Sequence, residues 1–552
     1  MRPITRHFAH TQDGRRIHYR QAGSGPPLVL LHASPASSRV QIPLLGAWGG
    51  HFNVIALDTP GFGLSDPLPM ANVEIGALAD ALADTLDALG LDRVMLYGRH
   101  TGGSIAVEFA KRFPARAEFV LTDGYTIVPN LPSADYLRAY LPPIEPQWDG
   151  GHLTWLWHRF REQFVFWPWN DPVNGLRADT DLPGPDELQR GVVELLEAGS
   201  AYANVYAAAL RYRWHAPLAG LSTPVCFGVR PGDSQYRHAD YLRSAGQAVE
   251  IIPRESEQAA ARELEILLTH GTTLPPATTA PQPPTAPIRY VEVLGQQILL
   301  RQAGNGDGLP LLLLPAIPGA SSQLQHLIDS LSLDRQVLAM DLPGNGYSDG
   351  ASPLSVEMWA RTVLALLDQL NIPRIALYGH NGGAAVAAHL ATTAPDRVAC
   401  VMLDGPPCLT ATERNNQLAA FDFTLAPRWE GGHLLELWHL LRDQRLWWPW
   451  HSKTHQAIRA KPRAIDPILL HAEVRALVNN LQHLVPSWRA VLDYDFVGAV
   501  NSVAQPMMIG CAPDDVFFPA ATTATQLWPD ALWGDFSGKE KHASINAFLR
   551  GY

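Results

Sequence analysis

The chain has 552 residues, of which 47% are apolar and 17% are charged, and its formal net charge at pH 7 is -11. Because a single hydrophobic core stops growing near about 250 to 300 residues, a chain of this length is expected to form two domains. The acidic balance and the absence of a Lys/Arg-rich run argue against nucleic acid or an anionic membrane as a partner, since both need a basic surface.

The first residues, MRPITRHFAHTQDGRRIHYR, lack the apolar segment of a signal peptide. No segment reaches the roughly 20 apolar residues that span a bilayer, so a cytoplasmic protein without a membrane partner is expected. The four cysteines form neither a C-x-x-C pair nor a metal-ligand cluster, and we interpret them as buried small apolar groups. No metal and no cofactor are expected.

Short apolar runs alternate with helical patterns along the first half. PLVLLH, NVIALD, RVMLYG, EFVLTDG and TPVCFGV are typical of buried parallel strands, whereas ALADALADTLDALG has helical spacing. This alternation predicts a doubly wound α/β domain with a mostly parallel sheet.

The second half repeats the first at an offset of about 281 residues, which is the signature of a duplicated domain. Pairs at nearly this offset are Gly98 and Gly379, Asp123 and Asp404, Trp169 and Trp450, and Asp233 and Asp515. We expect domain 1 over residues 1–270 and domain 2 over residues 288–552. Between them, the Pro/Thr/Ala-rich composition of residues 271–287 predicts an extended, semi-rigid linker, because it cannot form a core.

Four motifs recur in the same order in both halves. They are LLHASPASSR, LDTPGFGLSD, LYGRHTGGSIA and VLTDGY in the first copy, and LLPAIPGASS, MDLPGNGYSD, LYGHNGGAAVA and VMLDGPP in the second. With these motifs the chain resembles the α/β-hydrolase superfamily nearly end to end. The resemblance implies two tandem α/β-hydrolase folds, each with a helical cap, at about 130–215 and about 411–490. It also implies a small-molecule substrate, while the duplication itself suggests an internal pseudo-dimer of the two halves.

The turn in the third motif carries the nucleophile in this superfamily, and a histidine after the last strand, held by an acid, activates it. At the nucleophile position this chain has His100 in the first copy and Asn381 in the second. Both residue types tolerate the strained, often positive-φ backbone of the turn. The turn is therefore expected to persist without a hydroxyl for serine-type chemistry.

The acid after the seventh strand is kept as Asp233 and Asp515, each of which could orient an imidazole or cap the following helix. The histidine after the eighth strand is missing from both copies. Aligning the terminal helices puts Arg254 and Glu255 at that position in the first copy, and Phe536 and Ser537 in the second. His542 lies about five residues later on the predicted last helix, where a surface role is the more ordinary interpretation.

The first copy nevertheless retains an imidazole and a carboxylate, His100 and Asp233, which the resemblance places at one site. Histidine can abstract a proton or attack directly near neutral pH, whereas an amide such as Asn381 can only donate and accept hydrogen bonds. The oxyanion amides of the family correspond to positions near Ala33 and Thr101. His32, in the same loop as Ala33, either braces that loop or faces the pocket.

The two caps share one aromatic signature, PQWDGGHLTWLWHRFREQFVFWPW and PRWEGGHLLELWHLLRDQRLWWPW. Such aromatic area suits a closed apolar pocket, or holds the cap in place. The histidines of the shared GGHL, beside Asp149 and Glu430, either point toward the turn or cap a helix. The candidate substrate-binding residues are His32, Trp148, His152, Trp167, Asn381, His433 and Asp515.

Three functional hypotheses follow from these patterns. The leading one is an enzyme that acts on a small, largely apolar molecule by hydrolysis, lyase or isomerase chemistry, with the first copy reactive. The second is a non-catalytic binding protein that has lost the chemistry, motivated by the missing histidine. The third is a structural pseudo-dimer of two degenerate domains.

Overall fold

The computed structural model describes residues 3–179, 181–270, 274–459, 465–538 and 540–552. The chain divides into two compact units. The first comprises Met1–Glu145 and Trp155–Gln282, and the second comprises Pro146–Thr154 and Pro283–Tyr552. The short segment 146–154, inside the first predicted cap, thus groups with the second unit.

The elements of the first half alternate as the sequence predicted. They are β1 (Thr5–His10), β2 (Arg16–Ala22), β3 (Pro27–Leu31), α1 (Ile42–Trp48), β4 (Asn53–Leu57), α2 (Ile75–Ala88), β5 (Val94–Arg99), α3 (Thr101–Arg112), β6 (Ala117–Asp123), α4 (Ala134–Tyr140), α5 (Gly151–Glu162), β7 (Phe166–Trp167), β8 (Leu176–Arg177), α6 (Pro185–Ala198), α7 (Ala201–Arg211), β9 (Val225–Val229), α8 (Ala239–Ser244), β10 (Val249–Ile251) and α9 (Ser256–His270).

The main sheet of the first unit has eight strands in the order β1-β2-β4-β3-β5-β6-β9-β10. β1 and β2 are antiparallel to their neighbours, and the strands from β4 to β10 pair in parallel. Every residue of β3 and of β4 is buried, as expected for parallel strands that are covered on both faces. The five runs predicted as buried parallel strands are therefore confirmed.

The second half follows the same plan. Its elements are β11 (Ile288–Val293), β12 (Gln296–Leu314), α10 (Gln325–Leu331), β13 (Arg335–Met340), α11 (Val356–Gln369), β14 (Ile375–His380), α12 (Gly382–Thr393), β15 (Val398–Asp404), α13 (Ala411–Ala420), α14 (Gly432–Asp443), α15 (Pro467–Leu477), α16 (Leu481–Asp493), α17 (Phe496–Val500), β16 (Met507–Gly510), α18 (Phe518–Leu527), β17 (Leu532–Gly534) and α19 (Glu540–Leu549).

The second unit has a seven-stranded sheet in the order β11-β12-β14-β15-β16-β17, with β13 paired to β12. β12 is one long strand where the first unit has both β2 and β3. Its first part pairs antiparallel with β11, and its last part pairs parallel with β14, with Leu311 opposite Ala376. Each half has a mainly helical segment before its second-to-last strand. In the first half it lies between β6 and β9, and in the second half between β15 and β16. The structure therefore contains two tandem α/β folds, as predicted.

The connecting segment has no helix or strand among its described residues before β11, and residues 271–273 of the predicted linker lie outside the described residues. In the first unit, the amides of Ala277 and Ala280 donate hydrogen bonds to backbone carbonyls, at 3.1 and 2.9 Å. In the second unit, the Gln302 side chain donates to the carbonyls of Pro284 and Ala286. Within the described residues, no helix is both long and apolar enough to cross a membrane.

Close backbone approaches hold β5, the following turn and α3 together. A Cβ at Gly98 would lie 2.3 Å from the carbonyl oxygen of Gly102, and a Cβ at Gly102 would lie 2.2 Å from that of Leu31. Real side chains do not tolerate such distances, so both positions require glycine. The second unit repeats this at Gly379 and Gly383, with backbone oxygens 2.4 Å away in each case.

We expect Gly98→Ala to destabilise the first unit by about 2 kcal/mol or more, because overpacking against backbone forces the turn to shift. Gly50→Ala is the matched control, since no atom lies within 4 Å of a Cβ at that position. The midpoint of urea unfolding for both variants and the unaltered chain measures the difference. Equal midpoints for Gly98→Ala and Gly50→Ala would contradict the requirement for glycine.

Candidate functional site

The turn after β5 holds His100 in a backbone conformation that few residues with a side chain adopt. Its φ is 47° and its ψ is -111°, and Asn381 after β14 has φ 48° and ψ -113°. A positive φ costs a non-glycine residue free energy, so the surrounding packing imposes this conformation in both units. The sharp turn presents each side chain at the carboxyl end of its sheet, just before the helix begins.

In the first unit, this turn brings an imidazole against a carboxylate. His100 Nε2 lies 2.7 Å from Asp233 Oδ2, with the His100 side chain 28% exposed and that of Asp233 8% exposed. An ionised carboxylate only accepts hydrogen bonds, so Nε2–H donates and the neutral ring keeps its lone pair on Nδ1. The geometry thus leaves one ring nitrogen of a part-exposed histidine able to accept a proton.

Asp233 is held as a carboxylate by its neighbours. Its Oδ1 accepts a hydrogen bond from the backbone N–H of Gln235 at 2.8 Å. Burial by itself would raise the pKa of Asp233, but the adjacent His100 imidazole and the Arg99 guanidinium outweigh burial and keep that pKa well below its ordinary value. Asp233 is accordingly ionised over the whole neutral range.

A network of ion pairs lies behind this pair, and sequence reasoning did not identify it; its members are largely buried except for Arg99, whose side chain is 47% exposed. Arg99 Nη2 is 3.9 Å from Asp233 Oδ2, and Arg99 Nε is 3.6 Å from Asp123 Oδ2. Asp123, at the end of β6, is buried and also lies 2.7 Å from Arg230 Nη2. The only sequence signal was the position of Asp123 as the last residue of a buried parallel strand.

Glu263, on α9, completes the network. It is buried, lies 3.4 Å from Arg230 Nη2, and accepts a hydrogen bond from the Tyr97 hydroxyl at 3.3 Å. Burial and the charge of Asp123 raise the pKa of Glu263 to about 8. The protonated form of Glu263 is therefore favoured in this network.

A glycine opposite the turn makes room for the imidazole. Gly124 has φ +72°, and a Cβ there would lie 2.9 Å from both Cδ2 and Nε2 of His100 and 3.3 Å from Asp233 Oδ1. In the second unit, a Cβ at Gly405 would lie 2.5 Å from Asn381 Oδ1. Each glycine thus lies directly against the residue at the turn.

His32 uses both ring nitrogens on backbone groups. Its Nε2 accepts the N–H of Thr59 at 3.0 Å, so Nδ1 carries the proton and donates to the carbonyl of Ala33 at 2.9 Å. The ring is buried, which lowers its pKa. These two bonds brace the loop that contains His32, which is one of the two roles considered for this residue. Thr101, the other candidate oxyanion residue, is the buried first residue of α3.

In the second unit, the imidazole near the acid belongs to His380, one residue before the turn position. His380 Nε2 lies 3.9 Å from Asp515 Oδ2, while Asp515 Oδ1 accepts the N–H of Phe517 at 2.9 Å. Asn381 Oδ1 is buried and has no hydrogen-bond partner among the described residues. In the sequence, His380 directly precedes Asn381 in the motif LYGHNGG, and this adjacency is the only signal that could have indicated it.

Both histidines of the shared GGHL bond back to the preceding backbone. His152 Nδ1 accepts the N–H of Gln147, and His433 Nδ1 accepts the N–H of Arg428, both at 3.1 Å. Gln147 and Arg428 both precede the helices that begin at Gly151 and Gly432, so these bonds fix the approach to each helix rather than cap its first amides. Because its Nδ1 is an acceptor, neutral His152 donates from Nε2 to His471 Nδ1, 3.1 Å away, and both residues belong to the second unit.

The two candidate tryptophans differ in their surroundings. Trp148, in the segment that groups with the second unit, is 62% exposed, and its carbonyl accepts the indole N–H of Trp438 at 3.2 Å. Trp167, in the first unit, lies under the Arg237 guanidinium at 5.7 Å from the ring centroid. These contacts hold cap residues in place without defining a ligand.

The residues aligned with the superfamily's catalytic histidine, after the last strand of each unit, are engaged in other contacts. Arg254 pairs with Asp179 at 3.2 Å, and Phe536 is buried in the core of the second unit. His542 lies on α19, with its ring centroid 5.8 Å from that of His326. The aligned positions therefore leave the dyad of the first unit without the third member of a triad.

We expect the stability of the second unit to fall as the pH drops from about 6.5 to about 4. Burial, above all, lowers the pKa values of both His152 and His471 from 6.5 to about 4. In that window the unfolded chain binds more protons than the folded one, so acidification favours unfolding. Urea unfolding at pH 7, 6 and 5 should give a shallower pH dependence for His471→Gln. The exposed control His455→Gln should retain the full slope, and identical slopes for the two variants would contradict this expectation.

The sequence profile of the alpha/beta hydrolase fold matches residues 26–142 and 310–429. A soluble epoxide hydrolase from Corynebacterium sp. is 40% identical over 107 residues, which is 19% of this chain and 37% of the relative. Haloalkane dehalogenase 2 from Mycobacterium tuberculosis is 36% identical over 95 residues, 17% of this chain and 33% of the relative. The chain thus covers less than half the length of these curated relatives.

Among solved structures, epoxide hydrolase A from Mycobacterium thermoresistibile is similar at 17% identity, over 48% of this chain and 98% of that chain, with a TM-score of 0.38. The profile match in each half agrees with the sheet order and the sharp turn between strand and helix described above. Both halves of the chain therefore have the α/β-hydrolase fold, as the sequence resemblance implied.

Proposed function

We propose that the first unit is an enzyme in which His100 acts as general base or nucleophile on a small, largely apolar molecule, with Asp233 as its orienting partner. The observation that carries this proposal is the 2.7 Å contact between His100 Nε2 and Asp233 Oδ2 at a turn where the superfamily presents its reactive side chain. The partial exposure of His100 leaves the imidazole reachable.

The tautomer of His100 determines which role each residue of the pair takes. With Nε2–H directed at Asp233, Nδ1 of His100 takes a proton from water or from the substrate, and the imidazolium that forms is stabilised by the ionised carboxylate. Asp233 does not need to change its protonation state in this step. The pair thus has the base and the orienter of a triad, with the imidazole placed where the nucleophile usually stands.

Hydrolysis by an activated water is the reaction that we favour. In this step Nδ1 accepts one proton from water, the oxygen attacks an electrophilic carbon, and the bond to the leaving oxygen or halogen breaks. The names of the epoxide hydrolase and haloalkane dehalogenase relatives support small apolar electrophiles as substrates. Lyase or isomerase chemistry would use the same base to remove a proton from carbon.

Developing negative charge would lie near the start of α3, at Thr101, opposite the loop that contains Ala33. The first turn of a helix carries backbone N–H groups without partners inside the helix and a positive end of the helix dipole. α3 has twelve residues, so this effect is available at its N-terminus. Such groups stabilise an oxyanion without rearrangement during the reaction.

A non-catalytic binding protein is the second candidate. It is favoured by one observation: Arg254, paired with Asp179, stands where the superfamily has its general base. A binding protein would keep the pocket and its affinity but show no turnover.

We expect His100→Ala to reduce turnover by about a hundred- to ten-thousand-fold, because loss of a positioned base typically costs that much. His100→Gln should be equally impaired, although its amide can still donate a hydrogen bond to Asp233. Steady-state rates with styrene oxide, 4-nitrophenyl acetate and 1-bromobutane, one probe for each electrophile class, provide the measurement.

Asn381→Ala is the matched control at the equivalent turn of the second unit, and its turnover should stay within a few-fold of the unaltered chain. Circular dichroism establishes that each variant is folded. If Asn381→Ala abolishes turnover and His100→Ala does not, the reactive turn belongs to the second unit. If all probes bind without being converted, the binding protein is the better assignment.

A further inference from the structure

The turn of the second unit contains an asparagine, Asn381, that is followed directly by Gly382. Such a pair is the one most open to deamidation, because a glycine has no side chain to hinder the attack of its nitrogen on the asparagine side chain. The chain has three other pairs of this kind, which begin at Asn174, Asn305 and Asn345. The backbone conformation of Asn381 distinguishes it from an asparagine in a regular strand or helix.

The turn presets the five-membered ring through which deamidation proceeds. In that ring, the nitrogen of the next residue and the Cβ of the asparagine lie on the same side of the Cα–C bond. Around this bond, Cβ is about 120° from the backbone nitrogen, because Cα is tetrahedral. The ψ of -113° at Asn381 therefore brings the Gly382 nitrogen to within about 10° of eclipsing Cβ. Regular structure does not provide this arrangement, since ψ is about -42° in a helix and about +135° in a strand.

Neither reacting group is held by another partner. The Asn381 side chain makes no capping hydrogen bond, and its Oδ1 has no hydrogen-bond partner among the described residues. Gly382 is the first residue of α12, and its N–H donates no hydrogen bond in the part of the chain that the structure describes. Asn381 is also partly exposed, so water reaches the turn. The side-chain amide and the nitrogen that attacks it are therefore both available.

The other pairs lack this combination of features. Asn345 is buried, and its Nδ2 donates to the carbonyl of Pro343 at 3.3 Å. The Nδ2 of Asn174 donates to the carboxylate of Asp171 at 3.2 Å. Asn305 is exposed but lies within the strand β12, where an extended backbone turns the next nitrogen away from Cβ. These pairs therefore serve as references for Asn381 within the same chain.

We propose that Asn381 deamidates spontaneously in the folded second unit and that the product is an aspartate at the turn. In the first step, the Gly382 nitrogen loses its proton and bonds to Cγ of Asn381, the Cγ–Nδ2 bond breaks, and the side-chain nitrogen leaves with that proton as ammonia. In the second step, water adds its hydroxyl to Cγ and its proton to the Gly382 nitrogen, which reopens the ring. No residue of the first unit takes part, so the reaction is independent of the activity proposed there.

The packing of the turn favours aspartate over isoaspartate as the product. Isoaspartate would add a carbon atom to the main chain, and a Cβ on Gly379 or Gly383 would already lie 2.4 Å from a backbone oxygen. Aspartate keeps the main chain and places a negative charge at the N-terminus of α12, which has no acidic residue in its first turn. Because carboxylates can form covalent intermediates, the modification changes the chemistry available to the second turn.

The test follows the unaltered full chain by peptide mass at pH 7.4 and 37 °C, both folded and unfolded in guanidinium chloride. Tryptic cleavage after Arg374 and Arg397 releases a peptide with Asn381 as its one asparagine and no glutamine, so a gain of about 1 Da locates the change. Asn381 should convert at least as fast in the folded chain as in the unfolded one, because the turn presets the ring. The buried Asn345 should convert about tenfold or more slowly when folded. Slower conversion of Asn381 in the folded chain than in the unfolded one would overturn the proposal.

Two variants identify the product. The tryptic peptide of Asn381→Asp is the chromatographic reference for the aspartate form, and a protease that cleaves before aspartate separates this form from isoaspartate. Asn381→Gln should show no gain in mass over the same period, because a glutamine would need a six-membered ring that this ψ does not preset. Isoaspartate as the main product, or retention of Asn381 after the exposed Asn305 has converted, would refute the proposal.

Discussion

The close approach of glycine backbone at the turn between strand and helix is the constraint on which each unit depends. Gly98 and Gly102, like Gly379 and Gly383, let a buried strand, a sharp turn and a helix pack with backbone against backbone. Only then can the residue at the turn adopt φ near 47° and stand at the end of the sheet. The contact between His100 and Asp233 follows from that position, because Asp233 follows the strand β9 on the same edge.

The two units share this geometry and differ in where they carry an imidazole. The residue before the turn position is Arg99 in the first unit and His380 in the second. Arg99 lies 3.9 Å from Asp233, the acid after β9, and His380 lies 3.9 Å from Asp515, the acid after β16. Only the first unit also has an imidazole at the turn itself. The same acid thus holds a histidine at hydrogen-bond distance in one unit and at a longer distance in the other, which is the physical basis for proposing unequal chemistry.

A second shared feature is the buried carboxylate at the end of the next strand, which is neutralised differently in each unit. Asp123 is paired with Arg230 from the loop after β9, whereas Asp404 is paired with Lys541 from the last helix. A buried carboxylate needs a countercharge, but either element can supply it. Lys541 lies on the last helix of the second unit, and the last helix of the first unit instead places the buried Glu263 beside Arg230.

The sequence by itself determined the parallel strands, the duplication and the turns at His100 and Asn381, because these depend on local periodicity and on glycine positions that recur at one offset. Only the tertiary structure decided what the histidines contact. His32 and His152 bond to backbone amides, His380 lies near Asp515, and His542 lies by His326. Those partners are remote in sequence or are main-chain groups without a residue signature, so no pattern of letters could indicate them. The roles of Arg99 and Glu263 were hidden for the same reason, since a charge network forms only when several elements pack together.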